Sequence, residues 1–179
     1  MSEDKRRQNE ADPERAPSLL GDVGYLLMKI ILLALMVLIM FVFFFGIYRS
    51  GDDSMNPAVK DGDIVITWRL RKDYRFGDVI VLDHNGEKEI RRVVAVEGDT
   101  VDMTEEGMSI NGYLQQEIGI YEETLPYTEG IRYPVTVGKG EVFVLGDRRE
   151  QAVDSRIYGT VQTKDTCGCV MTVIRQRGI

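Results

Sequence analysis

The residues best placed by type to do chemistry stand together at Asp52-Asp53-Ser54-Met55-Asn56-Pro57. A serine hydroxyl is a poor nucleophile until a base takes its proton, so Ser54 is a candidate nucleophile only with an activating partner. The chain holds one histidine, His84, and a Ser-His-Asp arrangement would have to use it. A lysine is the other activator to look for, because burial disfavours its charge and can bring its pKa to ~5–6. The two thiols, Cys167 and Cys169, are one residue apart. That spacing suits neither a mutual disulfide nor, without a second pair, a zinc site. They read as small side chains at a strand end, and neither a metal nor a cofactor is expected.

Ser54 lies a few residues beyond an apolar run, which implies a nucleophile held at a membrane surface. From Ile30 to Ile47 there are 18 consecutive uncharged residues, ~27 Å as a helix. Leu26-Leu27-Met28 extend the run past the ~30 Å hydrocarbon core, so residues 25–48 are expected to form a transmembrane helix. Tyr25 and Tyr48 are placed as interfacial anchors, and Lys29 can snorkel. The run is longer than the ~7–15 residues of a signal-peptide core and no small-x-small site follows it, which argues against cleavage. Five Lys/Arg precede the span (Lys5, Arg6, Arg7, Arg15, Lys29), against Arg49 and Lys60 just after it. That bias puts the N-terminus inside and the main domain outside.

At 179 residues the chain has room for this anchor and one domain of ordinary size. Asp and Glu outnumber Lys and Arg by 29 to 22, and the basic residues are scattered. A nucleic-acid partner would want a basic face, so that class is excluded. Residues 1–24 open on a charged, proline-containing stretch without apolar periodicity, expected to be a disordered cytoplasmic tail.

Residues 49–179 change to short β-type runs bounded by Gly, Asp and Asn. Expected strands include 63–70, 79–82, 90–96, 100–103, 108–110, 135–137, 141–145, 158–161 and 169–174. Asn85-Gly86 and Asn111-Gly112 are hairpin signals. Residues 113–133, with Glu117, Glu122, Glu123 and Glu129, read as an acidic, exposed insertion. The sum is an all-β domain, open or barrel-like, with antiparallel sheets behind one N-terminal transmembrane α-helix.

Several phrases go beyond pattern. Ser54-Met55-Asn56-Pro57, Lys60-Asp61-Gly62-Asp63, Phe76-Gly77-Asp78-Val79-Ile80-Val81, and Arg91-Arg92-Val93 running to Gly98-Asp99-Thr100-Val101 follow one another in order. Ile110-Asn111-Gly112, Phe143-Val144-Leu145-Gly146-Asp147-Arg148-Arg149 and Asp154-Ser155-Arg156 complete the series. From about Tyr25 to the end the chain resembles the type I signal peptidases, in a divergent Gram-positive-like form. That resemblance implies a membrane-anchored serine endopeptidase with a β-rich catalytic domain on the outer face of the membrane. Such enzymes cut leader peptides from exported preproteins with a Ser-Lys dyad and no metal. It implies Ser54 as nucleophile, with its own backbone N–H in the oxyanion hole.

By the same resemblance the general-base lysine falls at Arg91. Removing a proton from an arginine at pH 7 costs about 7.5 kcal/mol, so this side chain is no general base, although its fork of donors can bind a carboxylate or carbonyl. Two neighbouring positions depart with it. Ala152 stands where the family has a serine that orients the lysine, and Asp52 stands where a Gly or Ser is common. An ionised carboxylate there would repel developing negative charge. Asp52 or Asp53 is expected to pair with Arg91. His84, seven residues before Arg91 and ~20 Å away along an extended strand, and Lys88, three residues before it, are poorly placed as substitutes. Two functions stay open: a signal peptidase with an unusual dyad, and a non-proteolytic relative that binds exported or pilin-like substrates. Gly146-Asp147 and Asp154-Ser155-Arg156 read as scaffold, the latter a buried ion pair.

Overall fold

The computed structural model describes residues 19–175. Most of the expected cytoplasmic tail, residues 1–18, lies outside them. Helix α1, Leu19–Phe44, is 26 residues long, carries Asp22 and Lys29 in its first half, and from Ile30 on is Leu, Ile, Val, Met and Phe apart from Ala34, with no buried side chain. At ~39 Å it is long and apolar enough to cross a membrane. It starts six residues before the expected boundary and ends four before it. Residues 45–48, expected as its last turn, belong instead to strand β1, Phe45–Arg49. The apolar run is continuous in sequence, so hydropathy alone does not mark the change. Gly46 marks it structurally: a Cβ there would sit 2.6 Å from Thr67 Oγ1 on the paired strand. Only a residue without one leaves room for the Tyr48 and Thr67 side chains.

The remainder is two antiparallel sheets. The larger has seven strands, with β1 beside β2 (Ile64–Trp68), then β11 (Thr166–Ile174), β3 (Val79–His84), β4 (Glu87–Val96), β9 (Glu141–Leu145) and β10 (Val161–Gln162). The smaller is ordered β7 (Tyr113–Leu114), β6 (Gly107–Ile110), β5 (Thr100–Thr104) and β8 (Val135–Thr136). Both Asn-Gly turns have positive φ at each central residue, 54° and 86° at Asn85-Gly86 and 54° and 82° at Asn111-Gly112. That is the conformation whose twist suits a two-residue hairpin. The expected strand at 158–161 is corrected: Ser155–Tyr158 is a single helical turn, α2, capped by Asp154, and pairing begins at Val161. Asp154 accepts the Arg156 N–H, which closes the turn before a strand can form.

Three apolar clusters hold the sheets. Val94, Ala95, Val101, Phe143 and Leu145 form one and Ile80, Leu82, Val93 and Val144 the second. The third gathers Met55, Val59, Val65, Val81 and Ile90. This last cluster positions Ser54, because Met55 is fully buried and holds its neighbour against the sheet.

The acidic segment 113–133 is not simply exposed. Glu117 takes both ends of the Arg149 guanidinium, Nη1 at 2.5 Å and Nη2 at 2.7 Å. Arg149 also donates to Thr124, and Tyr127 Oη donates to the carbonyls of Arg149 and Ala152 at 3.0 Å. Arg149 is fully buried. Fully buried arginines are rare unless paired, so a carboxylate must come to it, and the insertion supplies one.

Candidate active site

Ser54 is fixed from both sides. Met55 anchors the following residue in the core, and the Ser54 carbonyl accepts the Arg148 N–H at 2.9 Å. Gly146 makes the close approach possible. A Cβ on it would lie 2.3 Å from Ala152 Cβ and 2.8 Å from the Ser54 carbonyl oxygen. The glycine of the Gly146-Asp147 phrase thus seats the Ser54 backbone, beyond any role in a turn. Asp147 locks the same loop by accepting two bonds from Arg92, at 2.7 and 2.6 Å.

Arg91 reaches Ser54 from β4. Its Nη1 donates to Ser54 Oγ at 2.8 Å and to the Ile90 carbonyl at 2.7 Å, and its Nε donates to the Val153 carbonyl at 2.9 Å. Its carboxylate partner is Glu89, at 3.2 Å from Nη2. The expected pairing with Asp52 or Asp53 is therefore corrected. Glu89 lies two residues before Arg91 on one strand, so both side chains share a face without any further folding. Asp53 instead accepts the Asp61 N–H at 3.3 Å.

Asp52 meets Ser54 directly. Ser54 Oγ donates to Asp52 Oδ1 at 2.6 Å, and the Ser54 N–H donates to the same oxygen at 3.0 Å. The chain of contacts runs Asp52, Ser54, Arg91, Glu89, with the hydroxyl giving its proton toward a carboxylate and accepting from a guanidinium. The N–H expected to face an oxyanion is held by Asp52 as the molecule stands. The buried Ala152, where the resemblance implies an orienting serine, presents only a methyl group.

The alternative bases point elsewhere. Lys88 is paired with Asp83 on the exposed hairpin. His84 stacks on Tyr158, with ring centroids 4.3 Å apart, and its Nε2 bonds Asn85. The ~20 Å reckoned for His84 ignores its hairpin. The turn pairs His84 with Glu87, four residues from Arg91, or ~13 Å. Lys72 has its pKa lowered by burial, the property a lysine base needs, but its Nζ is committed to Thr166 in β11.

Glu89 is the site residue that sequence reasoning missed, although its i, i+2 spacing from Arg91 on a strand was a readable signal. Burial raises its pKa, while Arg91 and His84 pull it down. Beside it, burial also pushes the Tyr158 hydroxyl up, and Tyr158 Oη donates to Glu89 at 3.5 Å. Next to the Ser54 turn lies a cleft of about 390 Å³, walled by Pro57 and Ala58 on one side and Ile118 and Ile120 of the insertion on another.

An antiparallel β domain of this kind, with a buried serine, that follows an apolar helix in the sequence is the architecture expected of a membrane-anchored serine peptidase. The family model described as signal peptidase, peptidase S26, matches residues 24–174. Signal peptidase I of Bacillus licheniformis is 30% identical over 152 residues, covering 78% of this chain and 81% of that protein. Signal peptidase I T of Bacillus subtilis is 28% identical over 169 residues, covering 87% and 85%. A crystal structure of a signal peptidase I from Enterococcus faecalis is 25% identical, covers 56% of this chain and 97% of its own, and has a TM-score of 0.46. The chain belongs to the signal peptidase family, and it is a membrane-anchored member.

Proposed function

We propose that this protein handles the leader peptides of exported preproteins, cutting them as a serine endopeptidase with Ser54 as nucleophile. The observation that supports this reading most is the polarised hydroxyl. Ser54 Oγ donates to a carboxylate at 2.6 Å and accepts from a guanidinium at 2.8 Å. A hydroxyl so held has its proton drawn off one side and its oxygen favoured as an anion on the other. Arg91 itself is not the base. The five Lys/Arg before the span and the two just after it favour a cytoplasmic N-terminus, with the β domain on the outer face of the bilayer. The anchor then holds Ser54 where an exported chain emerges. The test is cleavage of a preprotein by the full-length protein in detergent or vesicles. Cleavage by the wild type that vanishes in Ser54→Ala is the expected result, and equal behaviour of the two proteins refutes it.

A second reading is favoured by one observation, the engagement of the Ser54 N–H by Asp52. A serine centre with that donor occupied, and Arg91 in the lysine position, suits a family member that binds exported or pilin-like substrates without cutting them. It predicts that Ser54→Ala binds such substrates as well as the wild type does.

A further inference from the structure

We infer that Asp52 is the general base that activates Ser54, in the role a lysine amine fills in a Ser-Lys dyad; the inference rests on the endopeptidase reading above. Among the described residues, Asp52 is the carboxylate bonded to the Ser54 hydroxyl. Its Oδ1 stands 2.6 Å from Oγ, within the reach a general base needs. The other partner of Oγ is Arg91 Nη1, a donor that cannot accept a proton. The hydroxyl hydrogen therefore has one acceptor and the oxygen one donor. A carboxylate is a weaker base than an amine, and the buried guanidinium offsets this by favouring the alkoxide character that develops as the proton leaves.

The step balances without a co-reactant. As Ser54 Oγ bonds to the scissile carbonyl carbon, its proton passes to Asp52 Oδ1 and the carbonyl π pair moves onto the carbonyl oxygen. Asp52, now a neutral acid, gives that proton to the leaving nitrogen as the C–N bond breaks, leaving an acyl group on Ser54. A water then repeats the sequence. Asp52 takes its proton, the water oxygen bonds to the acyl carbon, and Ser54 leaves with the proton restored.

The same transfer answers the repulsion expected from a carboxylate beside an oxyanion. Once protonated, Asp52 carries no charge. Its grip on the Ser54 N–H weakens too, since a bond to a charged acceptor is roughly twice as strong as one to a neutral group. The N–H held at 3.0 Å in the resting site is thereby released toward the new oxyanion in the step that creates it. Asp52 masks the donor at rest and unmasks it during attack.

The experiment uses the full-length protein in detergent, a quenched fluorescent leader peptide and an alkyl fluorophosphonate that labels activated serines. Asp52→Asn keeps an acceptor for the Ser54 N–H and loses the base, so its kcat should fall about 100-fold or more. Asp53→Asn, with the same charge change one residue on, should stay within about twofold. The wild-type rate should not rise from neutral toward alkaline pH, because a carboxylate base has no proton to lose there, whereas an amine base gives a rate that rises toward alkaline pH. Cleavage that depends on Ser54 but stays within threefold in Asp52→Asn, or a rate that rises toward alkaline pH, overturns Asp52 as base and leaves the endopeptidase reading standing. If the wild type neither cleaves nor labels at Ser54, both fall. Should Asp52→Asn not fold by thermal melt, the wild-type pH profile decides alone.

Discussion

Arg91 Nη1 lies 2.8 Å from Ser54 Oγ, so the residue proposed to stand in the lysine position touches the proposed nucleophile without being able to deprotonate it. That place is filled by a buried, permanently charged guanidinium. This relationship governs what substitution can do.

Arg91→Lys combined with Ala152→Ser is expected to install an amine base with an orienting hydroxyl. Cleavage should then rise toward alkaline pH, a rise not expected of the wild type, because a lysine works only when neutral. The loss of the fork to Val153, Ile90 and Glu89 should lower stability by about 2–4 kcal/mol. A pH–rate profile beside a denaturant melt of each protein checks both parts.

Glu89 carries the pH signature of the site. Its folded pKa is raised by burial, so the native state binds more protons than the unfolded chain between the ordinary carboxylate value and the raised one. In that window the Glu89 contribution to stability increases as pH falls and is lost as pH rises through the folded pKa. Asp83 and Glu141 are shifted downward and act oppositely at lower pH. The measurement is therefore the difference between wild type and Glu89→Gln. Melting temperatures of the wild type should gain on the variant as pH drops from neutral into the mildly acid range.

Gly146→Ala is expected to destabilise the domain by about 1–3 kcal/mol and to displace Ser54. Its Cβ would meet the Ser54 carbonyl at 2.8 Å and Ala152 Cβ at 2.3 Å. Adding Ala152→Gly removes the nearer clash only, so stability should recover in part while activity stays low. Urea melts and peptide cleavage of the single and double variants test this.

Glu117→Ala is expected to cost about 3–5 kcal/mol, because it leaves the fully buried Arg149 guanidinium without its carboxylate. An ordinary exposed acidic loop would lose under about 0.5 kcal/mol. Equilibrium unfolding separates the two. Ile118, wholly exposed at the rim of the cleft, should affect substrate more than fold. Ile118→Ser is expected to raise KM and leave kcat and the melting temperature unchanged.

Much of this protein was legible in its residues. An uninterrupted apolar run has one stable solution in a bilayer, a helix that satisfies its own backbone. Asn85-Gly86 and Asn111-Gly112 announced hairpins because few residues other than Asn and Gly accept positive φ there. The ordered phrases from Ser54 to Arg156 carried the family. The sequence could not show where the run stops being helix, since Phe45-Gly46-Ile47-Tyr48 is apolar in either state and pairing with β2 decides it. Nor could it show what Ser54 bonds. Arg91 and Ser54 are 37 residues apart, and their contact depends on the register of β4 and on how Met55 seats the turn. Residue types alone made Asp52 a repulsive neighbour to an oxyanion and a partner for Arg91. Folding turned its carboxylate onto the Ser54 hydroxyl and gave Arg91 to Glu89, because side chains two apart on a strand meet without further folding, and a turn residue meets whatever the turn faces.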